Sequence, residues 1–373
     1  MTESVPDVPQ PREKSSMTKN TLMKYTLVAL AVLVGISALS WWPTSIILAA
    51  IAVAVAVSSD YALSLAMKSK GPLNTMSAAV FGLIVALSYT LSNPSSYIMG
   101  TYLTPKYLPE LLPTKAPWAF VYVAIIALVG VIVFKKLQGM LGRKYVNPAA
   151  AAKLVVFLPF LQTVLLASAH ADSISLVGPI GYHIDIHSSN PLFGAFAGDV
   201  QACMGNISSR AGILTVTPTQ MFQTLALLKF HGWTGGASAI AVILVGVSLF
   251  IVARKYVKWR ITLSYLATIV AMSAIMFGIY GGDLLLRMGF ELFIGSSIFL
   301  AFFMATDPAT TPWTYVGQVV FGIGLGVLTV LIQMYMGFLG GSILALIIMN
   351  LTSPLLDRIG SKKTLIATSV PRT

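Results

Sequence analysis

Continuous apolar runs of membrane-spanning length recur along this 373-residue chain. A helix needs about 20 apolar residues to cross a bilayer, and the runs lack the polar–apolar alternation of membrane barrel strands. Charged residues make up only 10% of the chain, whereas soluble domains carry about a quarter. The sequence therefore predicts an all-α integral membrane protein.

The apolar runs predict about ten transmembrane helices, with the usual uncertainty at their ends. They are Tyr25–Ser40, Ser45–Ala66, Thr75–Leu91, Pro117–Phe134, Ala149–Ala169, Gly235–Val252, Ile261–Tyr280, Phe290–Ala305, Tyr315–Tyr335 and Phe338–Leu351. Only Met336 and Gly337 separate the last two segments, so a single long broken hairpin is the alternative there.

Basic residues give the chain a net charge of +12, which would also suit a nucleic-acid partner. Their positions indicate topology instead, because most Lys and Arg lie in the tails and in loops on the side of the N-terminus. Such a bias is the positive-inside rule of membrane proteins. It predicts a multi-pass cell-membrane protein in contact with lipid, with both termini in the cytoplasm and no nucleic-acid partner.

The predicted helices divide into two halves of five around a long polar gap. An odd number of helices in each half makes the halves run in opposite directions, as in the inverted repeats of many transporters. Similar helix ends support the division: "ALSYTLSNPSS" (Ala86–Ser96) and "AFFMATDPATT" (Ala301–Thr311) each contain Asn-Pro or Asp-Pro followed by small hydroxyl residues. The predicted domains are a disordered cytoplasmic tail (1–24), the first five-helix half (25–169), an external loop (170–233), the second five-helix half (234–356) and a cytoplasmic tail (357–373).

The external loop contains the hydroxyl-rich stretch "LTVTPTQMF" (Leu214–Phe222) ahead of a helical apolar period. Pro218 suits the first helical position, Thr217 the N-cap, and Gln220 completes a capping box. A phosphate esterified to Thr217 would also suit this helix N-terminus, which favours anions, and Arg210 would add positive charge. The pattern alone predicts a helix start that tolerates an anion and does not identify the anion.

Several segments of the chain, in order from about Gly142 to Asp357, resemble one family of membrane redox subunits. The family comprises the D subunit of the Rnf complex and the B subunit of the sodium-pumping NADH:quinone oxidoreductase. The resembling segments are "GRKYVNPAAAAKLVVF" (Gly142–Phe157), "TVTPTQMFQTLALLKF" (Thr215–Phe230), "WTGGASAIAVILVG" (Trp233–Gly246), "FMATDPATTP" (Phe303–Pro312) and "GGSILALIIMNLTSPLLD" (Gly340–Asp357). The short, compact chain resembles the Rnf branch more than the quinone-reductase branch.

The resemblance implies an FMN joined through its phosphate to Thr217 on the outer face. Thr215 and Pro218 belong to the same motif, although Thr215 and Val216 stand where the family usually has Ser and Ala. The implied function is electron transport in an ion-translocating complex, with the flavin as the redox group and no catalytic side chain. The implied partners are Rnf subunits A, B, C, E and G, and a second, non-covalent flavin such as riboflavin stays open.

A different class of function is also compatible with the residues. An inverted five-plus-five plan would suit a passive channel or a secondary transporter for a small solute, because fold does not determine function. The threonine-rich outer loop discriminates between the two hypotheses, since a channel has no need of it.

The coupling-ion path is the least determined part of the sequence. Asn93 and Asp307 are candidates, because each precedes a proline at the end of an apolar run, and simple helix capping is the alternative. Asp60 and Lys153 either pair, line an ion path or reach the inner interface by snorkelling. "HIDIH" (His183–His187) lacks a third strong ligand, so no metal site is predicted. Cys203, the single cysteine, excludes an intrachain disulfide, and only a cluster shared between subunits would use it.

Overall fold

Helices make up most of the structure, a computed structural model that describes residues 19–67, 75–91, 118–138, 144–158, 174–177, 183–186, 226–227, 232–254, 256–280, 284–293, 297–336 and 341–367. The first helices are α1 (Lys19–Trp41), α2 (Thr44–Ala66), α3 (Thr75–Leu87), α4 (Trp118–Val129, continued as a π-helix over Gly130–Leu137) and α5 (Pro148–Leu158). The later ones are α6 (Ala239–Val252), α7 (Trp259–Tyr280), α8 (Leu284–Phe293), α9 (Ser297–Phe299, continued as a π-helix over Leu300–Met304), α10 (Tyr315–Met336) and α11 (Gly341–Ala367).

Six helices in the described part of the chain are long and apolar enough to cross a membrane, namely α1, α2, α4, α7, α10 and α11. Helices α3, α5 and α6 are apolar but shorter. Large apolar side chains such as Leu39, Ile251 and Leu355 are exposed on the helix surfaces, as expected where a helix faces lipid. The predicted helical membrane fold is confirmed, whereas the count of about ten spans and the inverted arrangement of two halves stay predictions.

Several helix boundaries differ from those predicted. Helix α1 begins at Lys19, inside the segment predicted as a tail, and α11 continues to Ala367. The span predicted over Phe290–Ala305 is represented by two elements, α8 and α9. Hydropathy locates apolar stretches but does not show where a helix begins or ends, nor that a helix continues into polar sequence. The final two spans are separate helices, α10 and α11, packed against each other.

Two short strand pairs interrupt the helical structure in the residues that the structure describes. β1 (Thr90–Leu91) pairs antiparallel with β4 (Gly232–Trp233), so the prediction of helix up to Leu91 is wrong at its last residues. The helix ends at Leu87 because Ser88 and Tyr89 close its final turn, with the Tyr89 N–H donating to the Ala86 carbonyl at 3.0 Å. β2 (Ile174–Val177) pairs with β3 (His183–Ile186), which places most of "HIDIH" in a strand instead of a loop.

Glycines allow the closest helix contacts. A Cβ at Gly82 of α3 would lie 2.7 Å from the backbone Cα of Val53 in α2. In α10, a Cβ at Gly326 would lie 2.7 Å from Thr268 Cβ, and one at Gly324 2.7 Å from Met349 Cε. Gly324 and Gly326 therefore form part of a helix-packing surface on α10.

We expect Gly82→Ala to destabilise the protein by about 1–3 kcal/mol, since backbone atoms of α2 cannot rotate away from the added methyl group. Gly35→Ala is the matched control, because nothing lies within 4 Å of a Cβ built at Gly35. Thermal unfolding of the detergent-solubilised protein measures both. Equal melting temperatures for the two variants would contradict the close α2–α3 contact.

Candidate functional site

Non-helical backbone segments meet inside the bundle, one directly after the end of α3 and the other directly before the start of α6. Helix α3 has 13 residues and α6 has 14, so each rises only about 20 Å, less than the roughly 30 Å of a bilayer core. The segments adjoining them, Ser88–Leu91 and Gly232–Gly236, are held together by the β1–β4 pair. We call these two segments, together with Lys153, the helix junction. Ser88, Tyr89, Leu91, Trp233, Thr234 and Lys153 are almost completely buried, with Tyr89 at 0% and Thr234 at 2% exposure.

The backbone groups of the junction are paired with neighbouring donors. The Thr234 N–H donates to the Tyr89 carbonyl at 3.0 Å, and the Thr234 hydroxyl donates to the Ala86 carbonyl at 2.8 Å. The Ser88 hydroxyl donates to the Val85 carbonyl at 3.1 Å. Gly235 allows this approach, because a Cβ there would lie 2.8 Å from Leu87 Cβ. Irregular backbone is tolerated at membrane depth only where protein satisfies it in this way.

Lys153 is the charged member of the junction. It is 4% exposed, and its ammonium donates to the Ser88 carbonyl at the carboxyl end of α3. The same ammonium lies 4.6 Å from the ring centroid of Trp233 and 5.8 Å from that of Phe157. The snorkelling alternative for Lys153 is therefore wrong, because α5 directs the side chain into the bundle, where the helix end and the aromatic faces attract a cation.

Aromatic side chains connect the junction to α9. Trp233 contacts Phe299 edge to face at 6.0 Å between centroids, and Phe299 stacks on Phe303 at 5.2 Å. Phe303 belongs to the π-helical part of α9, where the Ala305 N–H donates to the Leu300 carbonyl at 2.8 Å. π-Helical turns frequently occur at functional sites. The row of rings thus joins Lys153 to the segment that precedes Asp307.

Asn147 brings together two of the segments on which the family resemblance rests. Its amide nitrogen donates to the Met304 carbonyl at 3.2 Å, and its amide oxygen accepts the N–H groups of Ala149 and Ala150. Asn147 therefore caps the start of α5, and its hydrogen bond to Met304 connects α5 to the end of α9. The "VNPAA" and "MATDP" segments, 157 residues apart at this hydrogen bond, are in direct contact.

Asp307 lies at the turn that follows α9 and is half-buried. Its carboxylate accepts the Ala309 N–H at 3.0 Å, and its carbonyl accepts the Thr311 hydroxyl at 2.6 Å. The Lys258 ammonium donates to the carbonyl groups of Pro308 and Thr311 in the same turn. The capping predicted as the simpler alternative is thus present at Asp307. The candidate Asn93 lies outside the described residues.

The flavin-attachment residues Arg210, Thr215, Thr217 and Pro218 lie outside the described residues as well. The segment that contains them leads into β4, since Gly232 follows Thr217 by 15 residues. The assignment of a flavin to Thr217 stays a prediction from sequence.

Asp60 takes part in an ion cluster that sequence reasoning missed. Its carboxylate lies 3.2 Å from the Lys136 ammonium and 3.7 Å from that of Lys135, and Lys136 also donates to the Ser64 hydroxyl at 3.2 Å. The predicted alternative of an Asp60–Lys153 pair is therefore wrong. The sequence pattern predicts that Lys135 and Lys136 lie in a loop. In the structure, α4 continues as a π-helix to Leu137 and directs both side chains onto α2. Asp60 and Ser64 are four residues apart and therefore lie on one face of α2. This spacing was the sequence signal that the two side chains could bind the same partner.

We expect Asp60→Asn to lower the free energy of unfolding by about 3 kcal/mol, because two lysines then lose the charge that compensates their burial. The Asp60 and Lys135 side chains are only 5% and 12% exposed. Combining Asp60→Asn with Lys135→Met and Lys136→Met should recover most of the loss, since no uncompensated charge remains. Thermal unfolding in detergent is the measurement, and an unchanged melting temperature in Asp60→Asn would contradict a stabilising cluster.

Known proteins resemble this chain over most of its length. Residues 93–365 match the model of the NQR2, RnfD, RnfE family. The chain is 26% identical over 351 residues to the D subunit of the Na⁺-translocating ferredoxin:NAD⁺ oxidoreductase complex of Acetobacterium woodii, covering 93% of this chain and 91% of the relative. It is 26% identical over 276 residues to the D subunit of the proton-translocating ferredoxin:NAD⁺ oxidoreductase complex of Clostridium ljungdahlii, covering 72% of this chain and 73% of the relative. The D subunit of an ion-translocating oxidoreductase complex of Escherichia coli O127:H6 is 26% identical over 349 residues, covering 89% and 90%. The chain therefore belongs to the NQR2, RnfD, RnfE family.

Proposed function

We propose that this chain is the D subunit of an ion-translocating ferredoxin:NAD⁺ oxidoreductase complex in the cell membrane. The observation that carries the proposal is the similarity over about nine-tenths of the chain to subunits of that name. Six candidate membrane spans support a membrane-embedded role. The partners would be Rnf subunits A, B, C, E and G, and the distribution of Lys and Arg along the sequence supports a cytoplasmic location of both termini.

The redox group that we propose is an FMN esterified through its phosphate to the Thr217 hydroxyl. Thr217 would supply an oxygen for the ester, and the helix start that the sequence predicts at Pro218 would offer N–H groups to the remaining phosphate oxygens. Arg210 and Thr215 would provide a positive charge and a hydroxyl nearby. These residue types suit a phosphate, and the bound flavin would supply the electron-transfer chemistry. A second, non-covalent flavin is compatible with the same role.

Ion movement would use the broken helices of two inverted five-helix halves. Asn93 and Asp307 each precede a proline at a predicted helix end, and half-helices of this kind coordinate ions in many transporters. The described part of the chain supplies one such arrangement, the helix junction with its irregular backbone. Asp307 would offer a carboxylate on the path, through the oxygen that does not cap the turn.

Purified native complex tests the proposal directly. On a denaturing gel under ultraviolet light, the band of this chain should fluoresce, and the peptide that contains Thr217 should carry the mass of FMN. A band without fluorescence and an unmodified Thr217 peptide would contradict the flavin assignment. Solute conduction by the flavin-free chain in liposomes would then favour the channel or secondary-transporter alternative.

A further inference from the structure

We propose that Arg260, held over the rings of Trp259 and Tyr315, binds the phosphate group of an anionic phospholipid at the cytoplasmic surface of the membrane. We call these three residues, at the starts of α7 and α10, the arginine site. None of the residues proposed for flavin attachment or ion movement belongs to it. The inference therefore goes beyond the proposed function and does not depend on the flavin.

Close packing of α7 against α10 assembles the arginine site. A Cβ at Gly322 of α10 would lie 2.7 Å from the Ile261 carbonyl oxygen of α7. The first turns of the two helices therefore meet, and the Arg260 guanidinium lies 3.9 Å from the ring centroid of Tyr315 and 4.9 Å from that of Trp259. Both helices are long and apolar enough to cross a membrane. Trp and Tyr at such helix ends are typical of the level of the lipid headgroups.

The Arg260 guanidinium is accessible to an anion. Its side chain is half-buried, and within the part of the chain that the structure describes no carboxylate forms a salt bridge with it. The carboxylate of Asp357, at the same end of the bundle, accepts the Trp313 N–H at 2.7 Å. An aromatic ring attracts the face of a guanidinium and does not use its N–H donors, which can bind a phosphate through two parallel hydrogen bonds.

Exposed apolar surface leads from the arginine site into the membrane. Tyr315, Val319 and Ile323 follow one another at four-residue intervals and are all exposed, so they form one stripe along α10. Leu263 continues the surface of Trp259 in the same way on α7. A free phosphate would contact only the arginine, whereas the acyl chains of a phospholipid would also cover the stripe. This continuity favours a lipid over a soluble anion.

The charge at this end of the bundle favours an anionic headgroup. The described basic side chains here outnumber the carboxylates of Asp307 and Asp357, and they are Arg254, Lys258, Arg260 and Arg358. Basic clusters at the cytoplasmic ends of membrane helices bind anionic lipids. A phosphatidylcholine headgroup carries an ammonium of its own, which fixed positive charges repel. The chemistry of the site therefore selects a phosphodiester without a cation, as in phosphatidylglycerol.

Photo-crosslinking of the intact complex tests the site. The probe is a phosphatidylglycerol with a diazirine on an acyl chain near the glycerol, added to the complex in detergent, and mass spectrometry quantifies the labelled peptides. We expect saturable labelling of the peptides that contain the starts of α7 and α10. Excess unlabelled phosphatidylglycerol should suppress this labelling, whereas equal amounts of phosphatidylcholine or inorganic phosphate should not.

Substitutions assign the binding to Arg260. Arg260→Gln should lower the labelling by about tenfold, which corresponds to about 1.4 kcal/mol, because it removes the charge and the paired donors. Arg260→Lys should lower it by roughly threefold, since lysine keeps only the charge. Tyr315→Leu should lower it as well, because leucine keeps the apolar surface without the ring that positions the guanidinium. Arg254→Gln is the matched control, an exposed arginine near the same end, and should leave the labelling unchanged.

Four outcomes would overturn the proposal. Equal competition by phosphatidylcholine would show ordinary contact with the bilayer, and equal competition by inorganic phosphate would show a site for free anions. An equal loss of labelling in Arg254→Gln and Arg260→Gln would show that only net charge matters. A crosslink from this surface to another subunit, in place of the lipid label, would make it a subunit contact. If Arg260→Gln does not assemble, the competition arms and Tyr315→Leu decide the result.

Discussion

Replacement of Thr217 with alanine should abolish the ultraviolet fluorescence of this chain on a denaturing gel and stop electron transfer through the complex. The expected loss is complete, because alanine has no oxygen for a phosphate ester and the other side chains of the motif would only position the flavin. Ferredoxin-dependent reduction of NAD⁺ by the purified complex measures the second effect. Thr217→Ser should retain both the fluorescence and the activity, since serine preserves the hydroxyl group.

Alanine also removes the predicted N-cap of the following helix, at a cost of about 1 kcal/mol. Thr217→Asn separates this effect from flavin attachment, because asparagine caps a helix as well as threonine does but cannot form the ester. We expect a complex with Thr217→Asn to assemble normally and to lack the fluorescent band. A fluorescent band in Thr217→Ala would move the attachment to Thr215 or Thr219.

The membrane fold could be predicted from the sequence because hydropathy is a property of single segments. The apolar runs located α2, α4, α7 and α10 to within a few residues, and they found α1 and α11 without the polar turns that extend those two helices. Helix ends inside apolar sequence could not be located in the same way. Thr75–Leu91 reads as one uninterrupted run, yet its last residues form a strand because a partner strand and Thr234 pair with their backbone.

The partners of the buried charges were beyond sequence reasoning for a related reason. Lys153 and Ser88 are separated by 65 residues along the chain, and Lys136 and Ser64 by 72. Nothing in the local pattern around Asp60 indicates that α4 continues far enough to reach it. An ionisable residue within an apolar run did indicate a buried charged site. Only the packing of the helices determines whether that side chain binds a counter-ion, binds a carbonyl group or reaches the lipid interface.

Asp307→Asn should reduce electron-driven ion uptake by more than tenfold if the ion path passes this turn. A tenfold loss of rate or affinity corresponds to about 1.4 kcal/mol of lost attraction between the ion and the carboxylate. Asp307→Asn removes the charge and keeps the cap, because the asparagine side-chain oxygen can still accept the hydrogen bond from the Ala309 N–H that the carboxylate accepts at 3.0 Å. The turn and its contacts with Lys258 should therefore persist, and only the negative charge disappears.

Ion uptake is measured in liposomes that contain the intact complex, with ferredoxin oxidation as the driving reaction. The fluorescence of the Thr217 band serves as the control, because it reports that the variant subunit is flavinylated and present. Asp307→Ala, which loses the cap together with the charge, should also lower thermal stability, whereas Asp307→Asn should not. Normal uptake by a flavinylated Asp307→Asn complex would show that Asp307 only caps the turn. The ion path would then lie elsewhere. The helix junction is the broken-helix element of the described chain that would remain as a candidate.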